Sequence, residues 1–446
     1  MKRTLVILIC ALLLLSGCAG EITETAQEPE ETVPETEITA PAETPPPTAT
    51  PEPTPLPEGP GQSAAEQLEL VAIKSPSNHE EARAKRFFEM MSSVGLDEVR
   101  MDSVNNVIGV LKGTGCGPTI IVSGHMDTVF GFEVDCTPHV KEDGWIWAPG
   151  ICDDTRGMVE VLAIAKAMTA CGVRAAGDIW FVGNVGEESV GDLRGTRNLF
   201  KDHGSEIDAL VSIDGTTPGG VCRTAVAGHK IKYTFKGRGG HALGAFGIPN
   251  CNNAMGRAIA KIAEIQVPAD PKTIFNVGVV SGGVSVNAIP SESTMLIDMR
   301  STDDAALAAV YEKVEKAVKE GLEEELARWS HPTETLTVSK EILSDRPGGS
   351  QPDDAPIVLA ARAANDWAGF ETKLGSGSTD ANIPLSLGVP ALAVGRGGKQ
   401  IDGHAVTERF FPEGAYKGPQ RAFLLLMELA GLEGVCEPVI QKRNCK

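Results

Sequence analysis

The chain has 446 residues, 60 of them acidic and 40 basic, for a formal net charge of −20. That balance argues against nucleic acid, and against a polybasic membrane-binding surface. The length is too great for one simple core, so two folded domains are expected.

The first residues stand apart from the fold. Met1-Lys2-Arg3 supplies a positive start, Leu5 to Leu15 is an apolar run of signal-peptide length, and Leu15-Ser16-Gly17-Cys18 closes it. The run is short for a membrane span and is flanked as a secretory signal is. Leu-Ser-Gly-Cys resembles the bacterial lipobox. That implies cleavage before Cys18, lipidation of its thiol and anchoring at the outer face of the cytoplasmic membrane of a bacterium; an ordinary signal peptide with a chance cysteine is the alternative. From Ala19 to Gln62 the composition turns to Pro, Thr, Glu and Ala, with ten glutamates and no Lys or Arg. So little apolar surface cannot fold, and proline and like charge keep the segment extended over on the order of 100 Å, as a stalk.

Setting aside the two basic residues of residues 1–18 and the ten glutamates of the stalk leaves 50 acidic and 38 basic residues, a net of −12. Of the ten cysteines, Cys10 lies in the leader, Cys18 is the lipid site, and the other eight show no Cys-x-x-Cys spacing. Export permits some of them to pair, Cys436 with Cys445 being the foremost candidate.

In chain order, Glu66 to Ile73 reads as a helix. Ser77-Asn78-His79-Glu80 has the Ser-x-x-Glu form of a capping box, opening a helix through Phe87, Phe88 and Met91 that stops at Gly95. Asn106 to Leu111 and Thr119 to Val122 read as strands, Gly157 to Ala170 as an apolar-faced helix, and Asp178 to Val182 and Ala209 to Ile213 as strands again. This alternation predicts an α/β domain with a largely parallel sheet. Near Gly228 the pattern changes to strand Lys230–Phe235, helix Asn252–Ile265, strands Thr273–Val280 and Ser293–Met299, helix Asp303–Trp329 and a strand near Thr335–Val338. That order is βαββαβ, a ferredoxin-like α+β unit inserted into the first domain. Lys373-Leu374 and Val389 to Val394 return to the first domain's style. The division expected is 1–18 leader, 19–62 stalk, 63–227 and 343–446 first domain, and 228–342 inserted domain.

The chemistry gathers at predicted strand ends. Ile120-Ile121-Val122-Ser123-Gly124 leads to His125-Met126-Asp127, with the strand expected to end at Ser-Gly. Asp153-Asp154 precedes a helix, Glu187-Glu188 follows the strand ending near Val182, Asp214 ends another, and His404 lies in Asp402-Gly403-His404. Open α/β sheets bind ligands at the carboxyl ends of their strands. Singly, these are a helix cap, turns and a surface histidine. Together, two histidines, two separated aspartates and one of a glutamate pair suit two borderline metal ions bridged by one carboxylate, with the second glutamate left to act as base.

This ordered set resembles the two-zinc exopeptidase and deacylase family that includes peptidase T, carboxypeptidase G, aminoacylase-1 and succinyl-diaminopimelate desuccinylase. The likeness covers about residues 65 to 430, including Ser75-x-Ser77-x-x-Glu80 and the Gly-rich Gly375 to Asp380. It implies two zinc ions per chain, with cobalt or manganese as substitutes. Asp153 would bridge them, His125 and Asp214 completing one metal and Glu188 and His404 the other. Asp127 would fix the His125 ring and Glu187 would be the general base. His241 in Gly-Gly-His-Ala, Asn287, Arg300 and Gly377 match substrate-side positions, Asn287 and Arg300 those that bind a substrate carboxylate; Arg300 also reads as a salt bridge within the lid sheet. His79, His139, His203, His229 and His331 read as surface or structural. The likeness further implies a cis Asp153–Asp154 peptide, a catalytic role for the first domain and a lid or dimerisation role for residues 228–342, and it leaves room for a homodimer formed through that inserted domain.

One departure stands out. Relatives often carry Asp-Asp-Lys where this chain has Asp153-Asp154-Thr155-Arg156, and Arg156 is the candidate to restore the positive charge. In relatives, Asp rather than Glu at the position of Asp214 accompanies aminopeptidases and dipeptidases. The resemblance therefore favours a peptidase T-like exopeptidase, of the aminopeptidase or tripeptidase kind, over a carboxypeptidase or desuccinylase. An N-acyl amino acid deacylase is the alternative on the same site, and a lipoprotein that only binds peptides is a more distant one.

Overall fold

The computed structural model describes residues 62–329 and 335–443. The leader with Cys18, the stalk to residue 61, His331 and Cys445 lie outside the described residues.

Helices α1 (Gln62–Ala72) and α2 (Glu81–Ser92) lead into β1 (Glu98–Met101), β2 (Val107–Leu111) and β3 (Ile120–His125). Then come β4 (His139–Val140), β5 (Ile146–Trp147), α3 (Thr155–Ala170), β6 (Ile179–Asn184), α4 (Arg194–His203), β7 (Ala209–Gly215) and β8 (Gly220–Ala225). A second unit follows: β9 (Ala227–Gly237), β10 (Gly240–His241), α5 (Cys251–Ala263), β11 (Thr273–Gly282), β12 (Ala288–Ile289), β13 (Glu292–Ser301), α6 (Asp304–Ala327) and β14 (Leu336–Arg346). The chain then returns through β15 (Gly349–Ser350), α7 (Pro356–Ala368), β16 (Lys373–Gly377), α8 (Asn382–Ser386), β17 (Ala391–Gly395), β18 (Lys399–Ile401), β19 (Arg409–Phe411) and α9 (Lys417–Ala430).

The main sheet runs β1-β2-β6-β3-β7-β17-β8-β15, with β16 beside β8. Its centre, β6-β3-β7-β17, is parallel, and antiparallel strands flank it on both sides. Strand β17 pairs with β7 although the whole second unit lies between them in sequence. Both faces are covered, as buried parallel strands require. Ile120 and Val122 of β3 join the core that holds Met158, Leu162 and Phe423, whereas Ile121 joins the opposite core with Leu199 and Phe200. The second unit is an antiparallel sheet, β11-β13-β9-β14, backed by α5 and α6, with its own core around Tyr233, Phe235, Met255 and Val314. The α/β fold with an inserted βαββαβ unit is as the pattern predicts.

Two local expectations fail for stated reasons. Strand β3 does not stop at Val122 but continues to His125. Gly124 allows this, because a Cβ there would meet the backbone of Gly157 and Met158 at 2.7 Å, where α3 crosses the strand. Nor is Ser77 a helix cap: α2 begins at Glu81 without a side-chain cap, and the Ser77 hydroxyl donates instead to Asp127 Oδ2 at 2.6 Å. The hydroxyl hydrogen goes to a buried carboxylate, and such charge-assisted hydrogen bonds are the strong ones. The described cysteines, Cys436 included, are free thiols.

Candidate metal centre

The ends of β3, β6 and β7 and the loops after them carry His125, Glu187, Glu188 and Asp214 to one edge of the sheet, as expected where parallel strands terminate. Asp153 arrives from the turn before α3, and His404 from the loop between β18 and β19. His125 Nε2 lies 3.0 Å from Asp153 Oδ1 and 3.8 Å from Asp214 Oδ1. His404 Nε2 lies 2.9 Å from Asp153 Oδ2 and 2.8 Å from Glu188 Oε1. Asp153 therefore turns one oxygen to each histidine, the arrangement of a carboxylate shared between two cations. The donor atoms of Asp153, Glu188 and His404 all lie within 4.8 Å of one another. Nitrogen and carboxylate donors so close fit zinc, cobalt or manganese.

The loops are clamped from behind. Asp127 accepts from the backbone N–H groups of Glu187 and Glu188, each at 2.9 Å, and from Ser77. The His125 ring is held at Nδ1 mainly by the Asp127 carbonyl, at 3.0 Å, with the Asp127 carboxylate at 3.4 Å. Asp127 thus fixes the glutamate pair as much as the ring that the sequence assigns to it. Glu408, four residues after His404, accepts from Gly150 N, Cys152 N and Asp153 N at 2.8–3.0 Å, joining the two loops that carry Asp153 and His404. The Asp153–Asp154 peptide is cis.

The two glutamates have different surroundings. Glu188 faces His404, whereas Glu187 Oε1 lies 3.3 Å from Arg346 Nη1, and Arg346 Nη2 also donates to the Glu187 carbonyl. Burial and the neighbouring Glu188 push the Glu187 carboxyl well above the usual range, with Arg346 pulling it back. Burial raises Asp214 likewise, against Arg396. Asp153 behaves oppositely: burial works to raise it, but Arg396 and hydrogen bonds from His125 and His404 hold it well below its ordinary value. A carboxyl that stays ionised suits a bridge, and one with raised proton affinity suits a base.

A family model, peptidase family M20/M25/M40, matches residues 121–428. The chain belongs to this family. It is accordingly a metal-dependent peptidase or hydrolase. The Bacillus subtilis protein YqjE is 26% identical over 386 residues, spanning 82% of this chain and 97% of its own. Aminopeptidase PepT from Bacillus cereus superposes with a TM-score of 0.66 at 22% identity, over 82% of this chain and 97% of that one. A tripeptidase from Staphylococcus aureus gives 0.68 at 23%, over 82% and 96%. The Bacillus subtilis YxeP protein, a dinuclear metal-binding peptidase, gives 0.60 at 16%, over 83% and 98%.

In this M20 member the cluster opens into a cavity of about 390 Å³ whose lining includes Glu187, Asp214, Lys230, Arg300, Arg346 and Gly377. Arg300 lines the cavity while its Nε donates to Asp298 at 2.9 Å, the salt bridge within the lid sheet that the sequence offers as one of its two readings. His241 and Asn287 do not reach the cavity lining. They stand together on the exposed lid edge, where Ala242 N donates to Asn287 O at 2.9 Å.

Arg156 does not supply the missing charge. It is buried, spent on Glu160 Oε1 at 2.9 Å and the Ala415 carbonyl at 2.8 Å. The cation beside the acidic ligands is Arg396, which the sequence reading did not single out. Its one signal is its place directly after β17, at the same sheet edge as the other ligands. Arg346, also missed, ends β14 beside Pro347 and carries no motif at all.

Proposed function

We propose that the chain is a di-zinc exopeptidase that cleaves short peptides, in the manner of an aminopeptidase or tripeptidase. The observation that carries this is the division of the Asp153 oxygens between His125 and His404, with Glu187 within 4.8 Å of the donor atoms of His125 and Glu188 and paired with Arg346. His125, Asp153 and Asp214 would hold one cation, and Asp153, Glu188 and His404 the other. When bound, such a pair polarises the scissile carbonyl and lowers the pKa of water toward neutrality.

Glu187 takes the proton of the attacking water and passes it to the leaving amine. Its raised proton affinity favours acceptance, and Arg346 keeps the carboxylate aimed. Lys230, Arg300 and Arg346 share the cavity lining with the acidic cluster, Arg346 against Glu187 itself. Burial lowers the Lys230 pKa, and the nearby Arg346 and Arg300 lower it further, so these cations are relieved by an anion. The carboxylate of a short peptide supplies one.

The exposed edge of β11, with Ile274, Val279 and Val280 uncovered, supports a homodimer formed through the lid, since free strand edges invite pairing. The Leu-Ser-Gly-Cys18 sequence and the stalk after it support lipid anchoring outside the cytoplasmic membrane. No helix among the described residues is long and apolar enough to cross a membrane. Hydrolysis of a di- and tripeptide panel beside N-acyl amino acids, with zinc and with chelator, tests the reading. Preference for the N-acyl compounds would make the chain a deacylase instead.

A further inference from the structure

We infer that Arg396 is a tethered cation competing for the His125–Asp153–Asp214 position, so that the chain holds one metal ion tightly and the other weakly. This rests on the two-cation reading above. Arg396 is buried, and every arm of its guanidinium is engaged. Nη2 donates to Asp153 Oδ1 at 2.7 Å and to Asp214 Oδ1 at 2.6 Å, Nε to Asp154 Oδ1 at 2.6 Å, and Nη1 to Gln400 Oε1 at 3.1 Å.

The planar fork cannot turn away from one acceptor without losing the others. Asp153 Oδ1 is also the oxygen nearest His125, so an ion at that position must share both of its acidic donors with a fixed positive charge. A shared oxygen is a weaker donor, and the guanidinium repels the incoming cation across a buried, low-dielectric site. The other position has no such competitor, because Asp153 Oδ2 and Glu188 Oε1 meet only His404 among the described ion pairs. A purely structural reading exists for the Nε end, which neutralises the fully buried Asp154. It does not account for Nη2, which is spent on the two ligands.

The arrangement makes the first position a concentration-dependent switch. At scarce metal the chain is singly loaded with Arg396 standing in for the second charge, and at abundant metal both positions fill.

The test is calorimetric titration of zinc into metal-free protein lacking only residues 1–18. Two steps are expected, separated on the order of 100-fold in affinity. Asp214→Asn should abolish the weak step and keep the tight one, and Arg396→Met should tighten the weak step by about tenfold or more. Two equally tight steps in the wild type, or loss of the tight step in Asp214→Asn, would overturn the inference while leaving the two-metal reading standing. No zinc binding at all would overturn both. Should Arg396→Met fail to fold because Asp154 loses its partner, Arg396→Lys keeps a charge for Asp154 but cannot reach all three carboxylates, and it should tighten the weak step likewise. A weak step unchanged in whichever of the two variants folds would overturn the inference.

Discussion

The floor of the cavity and the lid above it are built on different principles. The floor is acidic and buried: Asp127 and Asp154 are fully inaccessible, and Glu187 and Glu188 nearly so. Each of its side chains is held by a named backbone or side-chain partner, so its geometry is set by the sheet itself. The lid has its own core and meets the floor through cations, Lys230 and Arg300, while His241 and Asn287 stay exposed. Groups that must bind ions are fixed by folding, whereas groups that meet substrate depend on how one unit sits over another.

If that division is right, floor variants should change turnover or metal content, and lid variants should change substrate binding alone. The largest effect belongs to Glu187→Gln. It should keep full zinc stoichiometry yet lose about 10²–10⁴ in kcat, the usual worth of general-base catalysis. Metal analysis beside steady-state kinetics reads both, and loss of zinc here would exchange the roles of the two glutamates. Glu188→Gln should instead lose zinc, and added zinc should restore part of its activity.

On the lid, Arg300→Ala should raise KM by about ten- to a hundredfold for peptides with a free carboxylate, the scale of one charge-assisted hydrogen bond. Amidated peptides should not notice the change, and zinc content should stay normal. An equal loss on both substrates would place Arg300 in the lid sheet rather than at the substrate.

Acidity offers a subtler probe. Hydrogen bonds to Asp153 and Glu188 raise His404 to about 10, so at neutral pH its ring carries a proton that a cation must displace. Zinc binding should release that proton, and affinity should fall as pH falls below about 10. Calorimetry in two buffers of different ionisation heat measures the release, and buffer-independent heats would contradict it. The smallest effect is Ser77→Ala, which removes one donor from Asp127 and should cost about 1 kcal/mol of stability with little change in KM. Thermal denaturation of both proteins would show it.

The same division explains what could be read from the sequence. His125, Asp153 and Asp214 stood out because each follows a predicted strand or precedes a predicted helix, whereas His404 follows no predicted strand and stood out only as the last member of an ordered set that resembles a known family. Their order along the chain carries more information than any one of them. Ser77 was misread because Ser-x-x-Glu describes a capping box and a loop clamp equally well, and only the tertiary position of Asp127 separates them. Arg396 and Arg346 were invisible for a different reason. A single arginine has no spacing, and its reach of several bonds lets it act far from its own element. The positions of His241 and Asn287 relative to the cavity depend on the placement of a whole unit, which no local pattern encodes.

The most direct test of the central claim is hydrolysis of tripeptides by chelator-treated protein as zinc is returned in steps. The account predicts no turnover without metal, recovery as zinc binds, and no recovery in Glu187→Gln although that variant takes up zinc. Undiminished hydrolysis under chelator, or none at any zinc concentration on any peptide or N-acyl substrate, would contradict it.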